Sequence, residues 1–314
     1  MLLNSFLLSL DAIVSIFFMM AVGYAAKRML HLEKEHVRRF NSLVFYTLLP
    51  LMLFHNIYTS DIRTNADFRC LGFALAVLLV LFLLTWALVK RVEPANEQRG
   101  VMIQASFRSN FLLLGLPLIQ ELCPGADLAT VSVMLAVVVP CFNVLAVVTL
   151  ETFGRKHINY RQIFLGIAKN PLILASLAGV IVNLSGLQIP ALFADPIAKL
   201  GASASPVALL LLGAEFELHS LRTHRRNLAI CTGLRLLVFP GVALSLAWAV
   251  GFRGPEFAAL ISMFATPAAV SSFSMAVQMG GNPELAACAV TTTTLLSALT
   301  MFGWIFLFKS LGAF

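Results

Sequence analysis

QASFRSNFLLLGLPLIQ, residues Gln104–Gln120, lies inside an apolar segment long enough to cross a bilayer, yet its first half is polar: Gln104, Ser106, Arg108, Ser109 and Asn110. Its second half carries Gly115 and Pro117. A spanning helix satisfies its own backbone, so polar residues beside helix breakers at mid-depth bring it nothing. Transporters use this combination for a helix broken near the bilayer centre, where freed N–H and C=O groups meet the substrate. A plain kinked helix, with Arg108 reaching for the interface, is the other reading of the stretch alone.

The composition agrees with a membrane setting. Of 314 residues, 59% are hydrophobic and 12% charged, against roughly 45–50% and about 25% in soluble domains; mean hydropathy is +0.89. Apolar runs of roughly 20 residues mark spanning helices. Ten are expected, at about 8–28, 39–58, 69–90, 99–120, 127–150, 163–185, 196–216, 228–250, 256–279 and 284–308. No stretch between them is long enough for a soluble catalytic domain. The first run has no Lys or Arg before Lys27, so it lacks the basic region of a cleavable signal and is expected to stay. Fifteen Lys and Arg residues fall in odd-numbered loops and five on the other side. The positive-inside rule then puts both termini outside a cell inner (plasma) membrane. The formal charge of +7 is thereby topological and implies no nucleic-acid partner. Cys70, Cys123, Cys141, Cys231 and Cys288 are scattered, without a CxxC pair or His cluster, and read as small apolar residues with no metal site.

An internal repeat shifts the reading of the opening stretch. Gly23 and Gly179 lie 156 apart, as do Pro50 and Pro206; Gln120 and Gln278 lie 158 apart, and Asp127 and Glu284 lie 157 apart. Two five-helix repeats, 1–152 and 153–314, follow, and five being odd, the second enters the membrane inverted. Binding sites of inverted-repeat carriers sit at the repeat interface near mid-membrane. The offset carries Ser109 onto Pro267, in the ninth run, ISMFATPAAVSSFSMAVQ, with Thr266, Ser271, Ser272 and Ser274 beside it. Proline removes a donor and clashes with the preceding turn. The fourth and ninth helices are therefore expected to be broken at Ser109, Asn110 and Pro267, and crossed.

At this point the chain resembles the auxin efflux carrier family, of the bile acid/auxin carrier superfamily. GYAAKRML followed by FNSLVFYTLLP, Asn110 followed by GLPL, NPLILASLAGVIVNLSGLQIP and SPVALLLLGAEF stand in the family's order over nearly the whole chain. The resemblance implies an all-α membrane protein with a scaffold domain and a core (transport) domain holding the crossed helices. It also implies a carrier of dicarboxylates or auxin-like acids. Many relatives have proline where this chain has Ser109, and Arg108 is not carried over from the family.

The expected site is substrate-binding: Arg108, Ser109, Asn110, Thr266, Pro267, Ser271 and Arg235. Half-helix N-termini make a crossover positive, which suits carboxylates. Arg108 lies about nine residues, roughly 13 Å, inside the fourth helix. A buried Arg faces the protein interior or a wet cavity, and its fork fits a carboxylate. Binding the anion, pairing with backbone carbonyls and snorkelling are its three open roles. Arg235, with Pro240 after it, is weighed between structural pairing and substrate contact. Asn110 contacts substrate or caps a broken end. Asn143 reads as an interhelical hydrogen bonder, Thr291–Thr294 as packing, and Gln104, Gln120 and Gln278 as polar lining with nothing to choose among them. No carboxylate lies at mid-membrane depth, which speaks against the alternative function, a cation/proton exchanger of the same fold. An intramembrane enzyme would need HExxH or acids paired with His, and the chain has neither. No cofactor is expected; coupling by sodium or protons stays open, as does a homodimer in the bilayer.

Overall fold

The structure is a computed structural model that describes residues 2–60, 68–111, 118–119, 122–123, 129–154, 165–166 and 168–313. Among these residues all regular structure is helical, apart from one isolated antiparallel bridge between Ser109 and Ala268. In order, the elements are α1 (Leu2–Met29), α2 (Lys34–Tyr58), α3 (Phe68–Val92), α4 (Asn96–Phe107), α5 (Ala129–Phe153) and α6 (Pro171–Ser185). Then come α7 (Ala191–Glu215), the short α8 (Leu218–Thr223), α9 (Arg225–Val250), α10 (Gly254–Ala265), α11 (Ser271–Gln278) and α12 (Pro283–Ser310). Among the described residues, six helices are long and apolar enough to cross a membrane: α2, α3, most of α5, α7, α9 and α12; α6 and α10 are shorter apolar helices.

Several expected boundaries change. The run expected at 163–185 is interrupted at Asn170: residues 165, 166 and 168 before it are helical, and Asn170 caps a new helix, Pro171–Ser185, its Oδ1 accepting from the N–H groups of Leu172, at 3.0 Å, and Ile173. Proline then fills the first helical position, where no N–H is needed. Lys34, Arg38 and Arg39, expected in a loop, lie in the first turns of α2. The helices expected at 39–58 and 228–250 are not uniform. Each contains a π-turn, Val44–Leu48 and Leu234–Val238, ending just before Pro50 and Pro240. A proline cannot donate to the carbonyl four residues back and its ring crowds that group, so the ladder slips one residue where it stands.

Burial sorts the helices. Every residue of α4 from Gly100 and of α10 from Phe257 is buried, as is half of α12. The α3, α6 and α7 helices instead expose Leu83, Leu177 and Leu192 on an outer apolar face, the mark of a surface that meets acyl chains. Two close helix crossings rest on glycine. Gly23 of α1 sits against the Leu210 carbonyl of α7; Gly179 of α6 sits where a Cβ would be 3.0 Å from the Phe54 carbonyl of α2. The obstacle is backbone in both cases, which cannot rotate aside. Gly23→Ala is expected to destabilise by about 3 kcal/mol or more, the upper end for overpacking. Gly72→Ala on α3, with nothing within 4 Å, is expected to be neutral or to stabilise by up to about 1 kcal/mol through helix propensity. Thermal unfolding of both variants in detergent checks the contrast.

Candidate functional site

The two interrupted helices meet at their breaks. After Phe107 the chain turns extended, with Arg108 at φ −81°, ψ 118°; after Ala265 Thr266 does the same, at φ −69°, ψ 154°. The extended pieces cross antiparallel. Asn110 N–H donates to the Pro267 carbonyl at 2.9 Å and Ala269 N–H to the Arg108 carbonyl at 3.2 Å. Thr266 Oγ1 donates to the Ser262 carbonyl at 2.9 Å, which leaves Ser109 Oγ as donor to Thr266 Oγ1 at 2.7 Å. Ala268 N–H donates to Thr293 Oγ1 of α12 at 3.3 Å. Buried backbone groups need partners, and here each break supplies them to the other. The Gly115–Pro117 part of the fourth run, and Gln120, lie outside the described residues.

Two buried arginines stand at this crossing, and their surroundings differ. Arg235, 1% exposed, donates from Nε to Thr266 O (2.8 Å), from Nη1 to Phe107 O (3.2 Å) and from Nη2 to Met263 O (2.9 Å). These are the orphan carbonyls that close α4 and α10. Each helix C-terminus carries about half a negative charge, so one guanidinium roughly balances the two that converge there. Arg235 is thus turned towards backbone rather than towards open space.

Arg108, 4% exposed, donates from Nη2 to Asn143 Oδ1 of α5 at 2.6 Å and from Nη1 to the Met275 thioether of α11. A thioether is a weak acceptor. Among the described residues no carboxylate lies within ion-pair distance of this cation. Among the described residues the amide nitrogens of Asn110 and Asn143, both buried donors, have no partner. Arg108, Ser109, Asn110 and Ser271 line a small cavity of about 40 Å³. It shares Met52, Leu53, Val139 and Ser205 with a larger one of about 760 Å³, so it forms the floor of that space. The larger cavity has apolar walls from α1, α2, α5 and α7 and a polar rim of His55, Asn56, Thr59 and Ser60 at the end of α2.

The opposite approach to the crossing is filled by polar contacts. Asn41 Nδ2 of α2 donates to Ser274 O at 3.0 Å, Gln104 Nε2 of α4 to Ser272 O at 2.8 Å, and Ser42 Oγ to Gln278 Oε1 at 3.1 Å. At the surface Lys34 Nζ bonds Glu284 Oε1 at 2.9 Å, and Ser220 Oγ donates to Glu284 Oε2 at 3.1 Å.

The structure therefore brings Arg108, Ser109, Asn110, Thr266, Pro267 and Ser271 to one place, with only Arg108, Ser109, Asn110 and Ser271 of these on the cavity. Thr266 and Pro267 hold the crossing from behind. Nothing in the sequence marks Met275 or Asn41 for the site, and for Asn143 the nearest signal is its place as a lone Asn after Pro140.

Known proteins resemble the chain along nearly its full length. The profile of a family described as membrane transport protein matches residues 8–162 and 155–305. An uncharacterized transporter of Methanothermobacter thermautotrophicus is 23% identical over 95% of this chain and 98% of its own. A candidate malonate transporter of Rhizobium meliloti is 24% identical over 95% of each. The uncharacterized transporter YfdV of Escherichia coli K12 is 23% identical over 94% of this chain and 96% of its own.

Proposed function

We propose, from the premise that this chain belongs to the membrane transport protein family (the auxin efflux carriers whose motifs it shares), that it carries small organic anions by alternating access at the crossing of its two interrupted helices. It is a multi-pass membrane protein and a transporter at the level of the family; the anion and the mechanism are this proposal. One observation carries it. Arg108 is a buried cation with no carboxylate partner among the described residues, on the floor of a cavity beside the unpartnered amide donor of Asn110. Burying an uncompensated charge is costly, and a carboxylate arriving through the cavity would supply the counter-charge in the fork geometry that guanidinium favours. A cation/proton exchanger would want a carboxylate there instead.

The inverted repeat, with halves 1–152 and 153–314, fits the packing. Gly23 meets Leu210 and Gly179 meets Phe54; adding 156 to the first glycine gives the second, and adding it to Phe54 gives Leu210. The same crossing is thus made twice. The pairs α3–α4 and α9–α10, and α4–α5 and α10–α12, repeat in the same way. In this reading α1, α2, α6 and α7 form the scaffold and the crossed helices belong to the core. With both termini outside, the larger cavity opens outward and the Lys34–Glu284 side is closed.

The test is a thermal-shift screen of the detergent-purified protein against mono- and dicarboxylates, followed by flux of any hit into liposomes. A stabilising carboxylate that is also transported is expected. Asn110→Ala should weaken its binding about tenfold, the loss of one hydrogen bond to a charged group. If no carboxylate shifts or crosses with the wild type, the proposal fails.

A further inference from the structure

A second site lies away from the crossing, on the lipid-facing flank. A groove of about 490 Å³ runs between α9 and α12, walled by Leu228, Leu236, Leu296 and Leu299. At one end stands Arg225, exposed, with Arg222 in the last turn of α8 and Arg226 beside it. Among the described residues none of these three arginines makes an ion pair. Inside the trough the hydroxyl of Thr232 is buried and, among the described residues, has no hydrogen-bond partner. From Arg225 to Leu237, the last α9 residue on the groove, is twelve helical steps, about 18 Å. One leaflet of hydrocarbon is about 15 Å deep. Charge thus stands at the surface end of a trough as deep as a single leaflet.

We propose that this groove is a binding site for one anionic phospholipid, its phosphate on Arg225 and Arg222 and an acyl chain along the Leu228–Leu299 trough. Basic residues beside a cleft between spanning helices select lipid by headgroup charge, and the buried apolar length holds the chain. A comparison groove in the same protein lacks the charge. The trough between α3 and α9, about 330 Å³, is lined by Leu81, Leu84, Val238, Val242 and similar residues, with no cation. It should accept acyl chains without regard to headgroup. The anionic-lipid site is independent of the carrier reading.

Native mass spectrometry of the full chain, stripped of lipid in detergent, tests the site with phosphatidylglycerol and phosphatidylcholine of identical chains. The wild type is expected to bind the first phosphatidylglycerol at least tenfold more tightly than the first phosphatidylcholine. The exposed double substitution Arg222→Gln with Arg225→Gln should bring the two to parity. Ala229→Phe, which fills the trough while keeping both arginines, should lower phosphatidylglycerol occupancy severalfold. Glycerol 3-phosphate at matching concentration should not displace the lipid, because it lacks the tail. Equal binding of both lipids by the wild type, a preference that survives the double substitution, or displacement by the headgroup alone would overturn the assignment. So would a groove-filled variant that binds as before, or a shift from monomer to dimer in the arginine variants, which would give the face to a second copy of the chain.

Discussion

Arg108→Ala is expected to abolish carboxylate-dependent stabilisation and flux while leaving the protein folded. In most buried arginines the removed charge would strand a carboxylate, at a loss of about 3–5 kcal/mol. Here the partners are the Asn143 oxygen and the Met275 sulfur, both neutral. Orphaning the Asn143 oxygen costs about 1–3 kcal/mol, and relief of an uncompensated buried cation offsets it. The melting temperature of the empty protein should therefore stay within a few degrees of wild type or rise. Arg108→Lys keeps the charge but loses the planar fork, and should retain binding weakened by tenfold or more. An alanine variant that still binds and transports carboxylates as wild type would remove Arg108 from the site.

The opposite behaviour is expected of Arg235→Ala, although the two side chains are equally charged and similarly buried. Its loss leaves the carbonyls of Phe107, Met263 and Thr266 without donors, at about 1–3 kcal/mol each. It also leaves two helix C-termini facing one another without a compensating charge. The sum, roughly 3–9 kcal/mol, is comparable with the 5–15 kcal/mol that separates folded from unfolded domains. The variant should be recovered in low yield, aggregated or with a collapsed melting temperature, with or without ligand present. Arg235→Lys, a point charge that reaches fewer carbonyls, should recover part of the loss. Size-exclusion profiles and thermal unfolding report this directly. An alanine variant that folds normally and fails only to bind substrate would make Arg235 a ligand-contacting residue instead.

The two arginines also mark where sequence reading reached its end. Arg108 and Arg235 both read as intramembrane cations of similar depth, because depth follows from spacing along a helix. What separates them is which groups lie across the gap, and those groups stand 28 to 167 residues away in the chain. The breaks themselves were legible. Pro267 and the Gln104–Asn110 polar run violate the rules of a spanning helix, and the interruption falls at Arg108–Asn110 and Thr266–Val270. The π-turns before Pro50 and Pro240 were not separated from ordinary helix, since apolar length is insensitive to a one-residue slip. The interruption at Asn170 is hidden for a related reason: apolar residues continue on both sides of the cap, and hydropathy does not register a capping side chain.

The bare cation at the crossing has an electrical consequence. If the crossed helices move relative to the bilayer, the empty protein carries the Arg108 charge with them, while the protein loaded with a monovalent anion moves as a neutral unit. A field of 100 mV acts on one elementary charge with about 2.3 kcal/mol. Voltage would then grip the return of the unloaded carrier and leave the loaded passage untouched. Applied potential would set how fast the protein resets rather than how tightly it holds its cargo. Currents recorded before any substrate is added would betray the arginine's journey.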